Sequence, residues 1–179
     1  MNYRRTEIKG GSYFFTVNLA DRKKTLLVDE IDKFRVVLNS VKQQHPFILD
    51  AMVILPNHLH ALMTLPDEYA DYATRWMLIK SGFSRALPQT ESINQSRRRK
   101  GERGIWQRRY WEHLIRDAHD YENHVDYIHY NPVKHGHVDQ AVEWPYSTIH
   151  QYISNGILTP DWGCENDAKK DVVSFGEPA

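Results

Sequence analysis

Residues 47–65 read FILDAMVILPNHLHALMTL, and this stretch decides the fold. From Phe47 to Leu55 every residue except Asp50 is apolar, which predicts a buried central strand. Pro56-Asn57 is a turn signal. From His58 the pattern changes to alternation: His58 and His60 fall on one face of a strand, and Leu59, Ala61 and Met63 on the other. Two strands joined by a tight turn predict a hairpin inside an antiparallel sheet.

Toward the N-terminus, SYFFTVNLA (12–20) is aromatic and β-branched and reads as a strand, with Gly10-Gly11 as the turn before it. Residues 21–28 read as a loop. Ile31, Phe34, Val37, Leu38 and Val41 recur at helical spacing and predict a helix from Asp29 or Asp32 to about Gln44, ended by Pro46. Toward the C-terminus, Tyr72, Trp76, Ile79 and Phe83 predict a second helix over 69–87. Residues 88–104, PQTESINQSRRRKGERG, are polar and turn-rich and predict a mobile loop that orders on binding. A strand over 105–115, a helix over 118–130 closed by Asn131-Pro132, and a short helix over 145–154 follow. The order β-α-β-β-α-β-α predicts an α+β fold: an antiparallel sheet with helices on one face, plus a last helix added to that core.

A chain of 179 residues, 41% hydrophobic and 26% charged, supports one domain with a real core and excludes a disordered protein. We expect the domain over 1–155 and an acidic, loosely held tail over 156–179. No apolar run is long enough to span a bilayer. MNYRRTEIKGG lacks the apolar core of a secretory signal. Cys164 is the single cysteine, so an internal disulfide or a thiolate metal cluster is excluded, and a cytosolic setting fits.

The net charge of zero hides an asymmetry. Residues 75–116 carry eleven basic and three acidic side chains, and residues 117–179 carry the reverse. The basic block could track a phosphate backbone, with Arg97, Arg98, Arg99, Lys100, Arg103, Arg108 and Arg109 as its centre and Arg4 and Arg5 as a smaller patch. An exposed aromatic among Trp106, Tyr110 and Trp111 could stack on an unpaired base, although core packing suits at least two of them.

Two further constellations could carry chemistry. His58 and His60 can reach one divalent ion together, or can be two hydrogen-bonded histidines on a polar face. On a helix, Tyr127 and Asn131 are four residues apart and share a side, with His124 nearby. Tyr127 could then supply a phenolic nucleophile and Asn131 a metal ligand; a packing helix that buries Tyr121, Val125 and Ile128 is the alternative. A phenol is a poor nucleophile unless a nearby cation favours its ionised form.

Taken together these stretches resemble the REP-associated tyrosine transposases, a branch of the IS200-like Y1 transposases. The matching landmarks are SYFFTVNL after Gly10-Gly11, LPNHLHAL (55–62), IWQRRYWEHLIRD (105–117), HVDYIHYNPVKHG (124–136) and WPYST (144–148). The resemblance covers most of residues 3–150. It implies a ferredoxin-like HUH nuclease fold, with His58, His60 and Asn131 binding Mg²⁺ or Mn²⁺ and Tyr127 as nucleophile. It further implies cleavage of single-stranded DNA at repetitive extragenic palindromic hairpins, leaving a 5′-phosphotyrosine and a free 3′-hydroxyl. A bacterial cytoplasmic protein associated with the nucleoid, without a membrane, is the setting it suggests, and either a monomer or a dimer fits. A hairpin-binding module that has lost catalysis, or a small metal-dependent hydrolase that forms no DNA adduct, are the competing classes.

Overall fold

The computed structural model describes residues 7–164. Arg4, Arg5 and residues 165–179 of the acidic tail lie outside the described residues. In chain order the elements are β1 (Ser12–Asn18), a short α1 (Leu26–Asp29), α2 (Ile31–Gln44), β2 (Ile48–Ile54) and β3 (His58–Thr64). There follow α3 (Tyr72–Ala86), a short α4 (Gln95–Arg99), β4 (Trp111–Leu114), α5 (Ala118–Lys134) and, after a 3-10 turn at Ala141–Glu143, α6 (Ile149–Ser154). The sheet order is β2-β3-β1-β4, and every neighbouring pair is antiparallel. This is the α+β arrangement expected of a ferredoxin-like core: α2 carries the chain from β1 to β2, leaving the place between them for β3.

Alternation divides each strand between two faces. On one face Tyr13, Phe15 and Val17 of β1, Met52 and Ile54 of β2, and Leu59, Ala61 and Met63 of β3 pack under the two main helices. The helices answer with the stripes read from the sequence: Phe34, Leu38 and Val41 from α2, and Tyr72, Trp76, Ile79 and Phe83 from α3, the last four fully buried. Each such side chain contributes roughly 1.5–3 kcal/mol on burial. Arg75, on the same helix, is buried too and donates to the carbonyl oxygens of Pro46 and Asp71. Asp71 caps α3 by accepting from the Thr74 N–H at 2.9 Å.

The added helix takes the opposite face. Val125, Tyr127 and Ile128 of α5 pack on Phe14, Ala51, Val53, Leu55 and Leu62. Five expectations need correction: the run at 47–55, read as a central strand, supplies the edge strand β2, and the stretch read as a loop over 21–28 ends in the short α1, and three more follow. Residues 88–104 contain α4 and a clamp in which Arg103 donates to the carbonyls of Ser84 and Leu87 and pairs with Glu91 at 2.5 Å. The strand expected over 105–115 is regular only at Trp111–Leu114; before it, backbone bonds from Ala20 to Ile105 and from Gln107 to Asn18 make a looser seam. Finally, α5 does not close at Asn131-Pro132 but passes through the proline to Lys134. The signal that ends it is Gly136, at φ +70°, with the Gly136 N–H on the Val133 carbonyl and the His137 N–H on the Pro132 carbonyl. Pro132 costs only the bond to the Ile128 carbonyl, two residues from the helix end.

The outer edge of β2 is closed by WPYST. Ile54 donates to the Tyr146 carbonyl, Thr148 donates to the Met52 carbonyl, and the Thr148 hydroxyl accepts from the Met52 N–H, each at 2.9 Å. The Trp144 indole N–H donates to the Ile54 carbonyl.

Candidate active site

His58 and His60 project from β3 onto the α5 face, as the alternation requires, and both are buried. Their ring centroids are 5.1 Å apart. Each ring is tethered at Nδ1. His58 Nδ1 lies 2.7 Å from Asn57 Oδ1, and the Asn57 amide is itself oriented because its Nδ2 donates to the Arg22 carbonyl. His60 Nδ1 lies 2.9 Å from the hydroxyl of Thr16, its register partner on β1. An imidazole that donates through Nδ1 presents its lone pair at Nε2, the form a metal ligand needs. The donor set therefore fits a divalent cation. Asn57 and Thr16 supply the orientation; PNHLH sets Asn57 beside the pair in sequence, whereas Thr16 reaches His60 only through strand register.

Tyr127 reaches this pair from above. Its ring centroid is 5.2 Å from that of His60 and 5.8 Å from that of Phe14. Lys134 Nζ donates to the Tyr127 hydroxyl at 3.2 Å and lies 4.7 Å from the ring centre. The next residue, His135, sets its ring 5.1 Å from His58. Lys134 and His135 were absent from the expected site because Pro132 reads as a stop; they lie seven and eight residues past Tyr127, two helical turns on. Asn131, one turn past Tyr127, is fully buried on the same helix. Thus His58, His60 and Tyr127, 69 residues apart at the extremes of the chain segment, converge on one side of the sheet.

No protein-family model matches the chain. A Haemophilus influenzae protein assigned as a REP-associated tyrosine transposase is 48% identical over 169 residues, covering 94% of this chain and 96% of the relative. The REP-associated tyrosine transposase of Escherichia coli K12 is 44% identical over 160 residues, covering 89% of each. The chain belongs to the REP-associated tyrosine transposase family. A solved structure of a REP-associated tyrosine transposase bound to a REP hairpin superposes with a TM-score of 0.83 at 41% identity, covering 98% of this chain and 95% of that one. Family membership brings the general chemistry of tyrosine transposases, cleavage and rejoining of single-stranded DNA.

Within this family member, a second cluster sits beside the histidine pair. His113 of β4 and Asp120 and His124 of α5 place their ligand atoms within 4.8 Å of one another, a group able to hold a divalent cation. In the structure they bond together: His113 Nε2 lies 2.8 Å from Asp120 Oδ2, and His124 Nδ1 lies 2.7 Å from the Asp120 carbonyl. Burial pushes the His124 imidazolium down, against the pull of the Asp120 carbonyl. Burial also opposes ionisation of Asp120, but the hydrogen bonds from His113 and the Arg116 N–H outweigh it and hold the carboxyl below its usual range.

The basic block of this transposase divides by placement. Arg98, Arg99, Lys100, Arg108 and Arg109 are exposed. Arg97 donates to the Trp106 carbonyl, Arg108 pairs with Glu102 at 2.9 Å, and Arg103 is the clamp already described. Arg97, Arg103 and Arg108 line a cavity of about 800 Å³ with Lys80 and Arg85 against α3. Lys80 donates to the Gln107 carbonyl, and burial lowers its ammonium to about 8. Among the described residues no helix is long and apolar enough to cross a membrane.

Proposed function

We propose that this protein cleaves and rejoins single-stranded DNA at repetitive extragenic palindromic hairpins through a 5′-phosphotyrosine at Tyr127. The observation that carries the reading is the meeting of Tyr127 with His60 at 5.2 Å, with the Lys134 ammonium on the phenol oxygen. A cation there favours the phenolate, the form that attacks. The phenolate oxygen bonds to phosphorus while the bond to the 3′-oxygen breaks. That oxygen leaves with the electron pair and takes a proton. The phenol's own proton passes to solvent before attack. Rejoining is the reverse: a 3′-hydroxyl attacks the phosphotyrosine and restores the phosphodiester, so no external energy source is needed.

His58, His60 and Asn131 would hold Mg²⁺ or Mn²⁺, which supplies charge stabilisation at the phosphate oxygens. The chain's own residues do the rest. Asn57 and Thr16 fix the imidazoles. The exposed Arg98, Arg99, Lys100 and Arg109 and the basic cavity offer phosphate contacts along the hairpin, with Arg4 and Arg5 as a further patch. Support for a hairpin substrate comes from the related transposase solved with a REP hairpin. Tyr127, His58 and His60 are buried, with the Lys134 ammonium over the Tyr127 ring and the His135 ring against His58. Substrate access therefore calls for those two side chains to swing aside, while the turn itself stays bonded through His135 to Asn131 and His137 to Pro132. A protein of this activity belongs with the nucleoid in the cytoplasm, its catalytic domain spanning 1–155.

The test is a covalent adduct. The protein is mixed with labelled single-stranded palindromic hairpins and Mn²⁺ or Mg²⁺, and products are resolved under denaturing conditions. We expect a metal-dependent adduct that disappears in Tyr127→Phe. Tight hairpin binding without any adduct would replace this reading with a binding module.

A further inference from the structure

We propose that Trp111 is a stacking platform for an unpaired nucleobase beside the scissile phosphate, a role that rests on the nuclease reading above. Of the three aromatics in 105–111, Trp106 is buried and donates its indole N–H to the Lys80 carbonyl, and Tyr110 packs against the α3 side of the core. Trp111 alone of the three is exposed, at 36%. Its position on the sheet gives that exposure meaning. Thr16 pairs with His60 on one side and with Trp111 on the other. Partners in an antiparallel register share a face, so His60, Thr16 and Trp111 form one row on the face that carries Tyr127. Two strand spacings separate the ends of the row, roughly 10 Å. A base flanking a phosphate held at His60 can reach that distance.

The indole is also held ready. Its ring lies 3° from parallel with that of His113, centroids 5.8 Å apart. His113 in turn lies 16° from parallel with His124 at 4.8 Å. Asp120 fixes His113 at 2.8 Å, and Phe14 meets Trp111 edge-on at 5.7 Å. Three rings are therefore stacked in sequence, with the solvent-facing indole as the outermost. A fixed ring loses little entropy on stacking and accepts any base, since every base has a π-face.

The experiment walks 2-aminopurine through the single-stranded flanks of a palindromic hairpin and reads its fluorescence with wild type, Trp111→Ala and Trp111→Phe, alongside adduct formation by wild type and Tyr127→Phe. We expect wild type to quench the probe at one flanking position. Trp111→Ala should lose that quenching and raise the half-saturating DNA concentration at least about fivefold, the low end of one base–aromatic stack. The maximal adduct rate should change less, and Trp111→Phe should restore part of the quenching. A Phe variant that binds and quenches no better than Ala at every position, with wild-type thermal stability, would overturn the platform. Equal quenching in wild type and Trp111→Ala would overturn it while leaving the nuclease reading standing if wild type still forms its adduct. Quenching that depends on Trp111 in a protein that forms no adduct would keep the platform and remove the nuclease.

Discussion

Leu59 and His60 are neighbours in the chain and belong to opposite sides of the molecule. Leu59 joins Phe15, Met63, Trp76 and Phe83 in a face built of apolar side chains, covered by α2 and α3. His60 faces α5, in a layer where Thr16, Asn18, His58, His124, His129 and Asn131 are buried alongside Phe14 and Leu62. One face takes its stability from apolar burial; the other spends buried polar groups, each of which needs a partner. Because the strand period is two, a single strand can serve both without compromise, and a one-residue slip would exchange them.

The contrast can be broken most severely at Tyr127. Tyr127→Phe should lower DNA cleavage at least about a thousandfold, as loss of a covalent nucleophile does. Its melting temperature should stay close to wild type. A residual rate near wild type on denaturing gels would move the chemistry off α5. Leu59→Ala should do the opposite: a cavity in the apolar face costs about 3 kcal/mol in urea unfolding. Cleavage per folded molecule should stay near wild type, and a matching loss of both would mean that the two faces are coupled.

Acid should separate the faces. Burial, with the His150 charge second, lowers the His129 imidazolium to about 4, while the unfolded chain titrates near 6.5. Below the unfolded value the unfolded state takes a proton that the folded state refuses. Stability is thus complete above that pH and falls as pH drops toward 4, by roughly 2–3 kcal/mol over the window. His129→Gln should flatten the unfolding free energy between pH 6.5 and 4; an unchanged slope would assign the acid sensitivity elsewhere. The smallest expected effect is at Asn57. Asn57→Ala should weaken Mn²⁺ binding about 10–100-fold in titration calorimetry, the usual consequence of losing a ligand's orienting partner. Unaltered affinity would mean that the backbone alone fixes His58.

Much of this was legible in the residues. The stripes Phe34–Leu38–Val41 and Tyr72–Trp76–Ile79–Phe83 mark α2 and α3 because helical periodicity is local. The His58–His60 pair and its face follow from strand alternation alone. What the chain does not display locally is partnership. Periodicity says that α5 has an apolar side, but not that this side covers the second face of the sheet. Pro132 hides Lys134 and His135 because a proline reads as a stop, whereas Gly136 sets the helix end. The clamp of Arg103 on Glu91, Ser84 and Leu87 depends on folded distances, so the bracing that this part of the basic run supplies is invisible in the sequence.

The closed edge of β2 has a consequence for behaviour at high concentration. A sheet with open borders invites another chain to add a strand, the first step toward aggregation. Here WPYST occupies the outward donors and acceptors of Met52 and Ile54, and the opposite border, β4, offers only four residues. Copies gathered closely would meet with little free backbone to zip together, so crowding need not become precipitation.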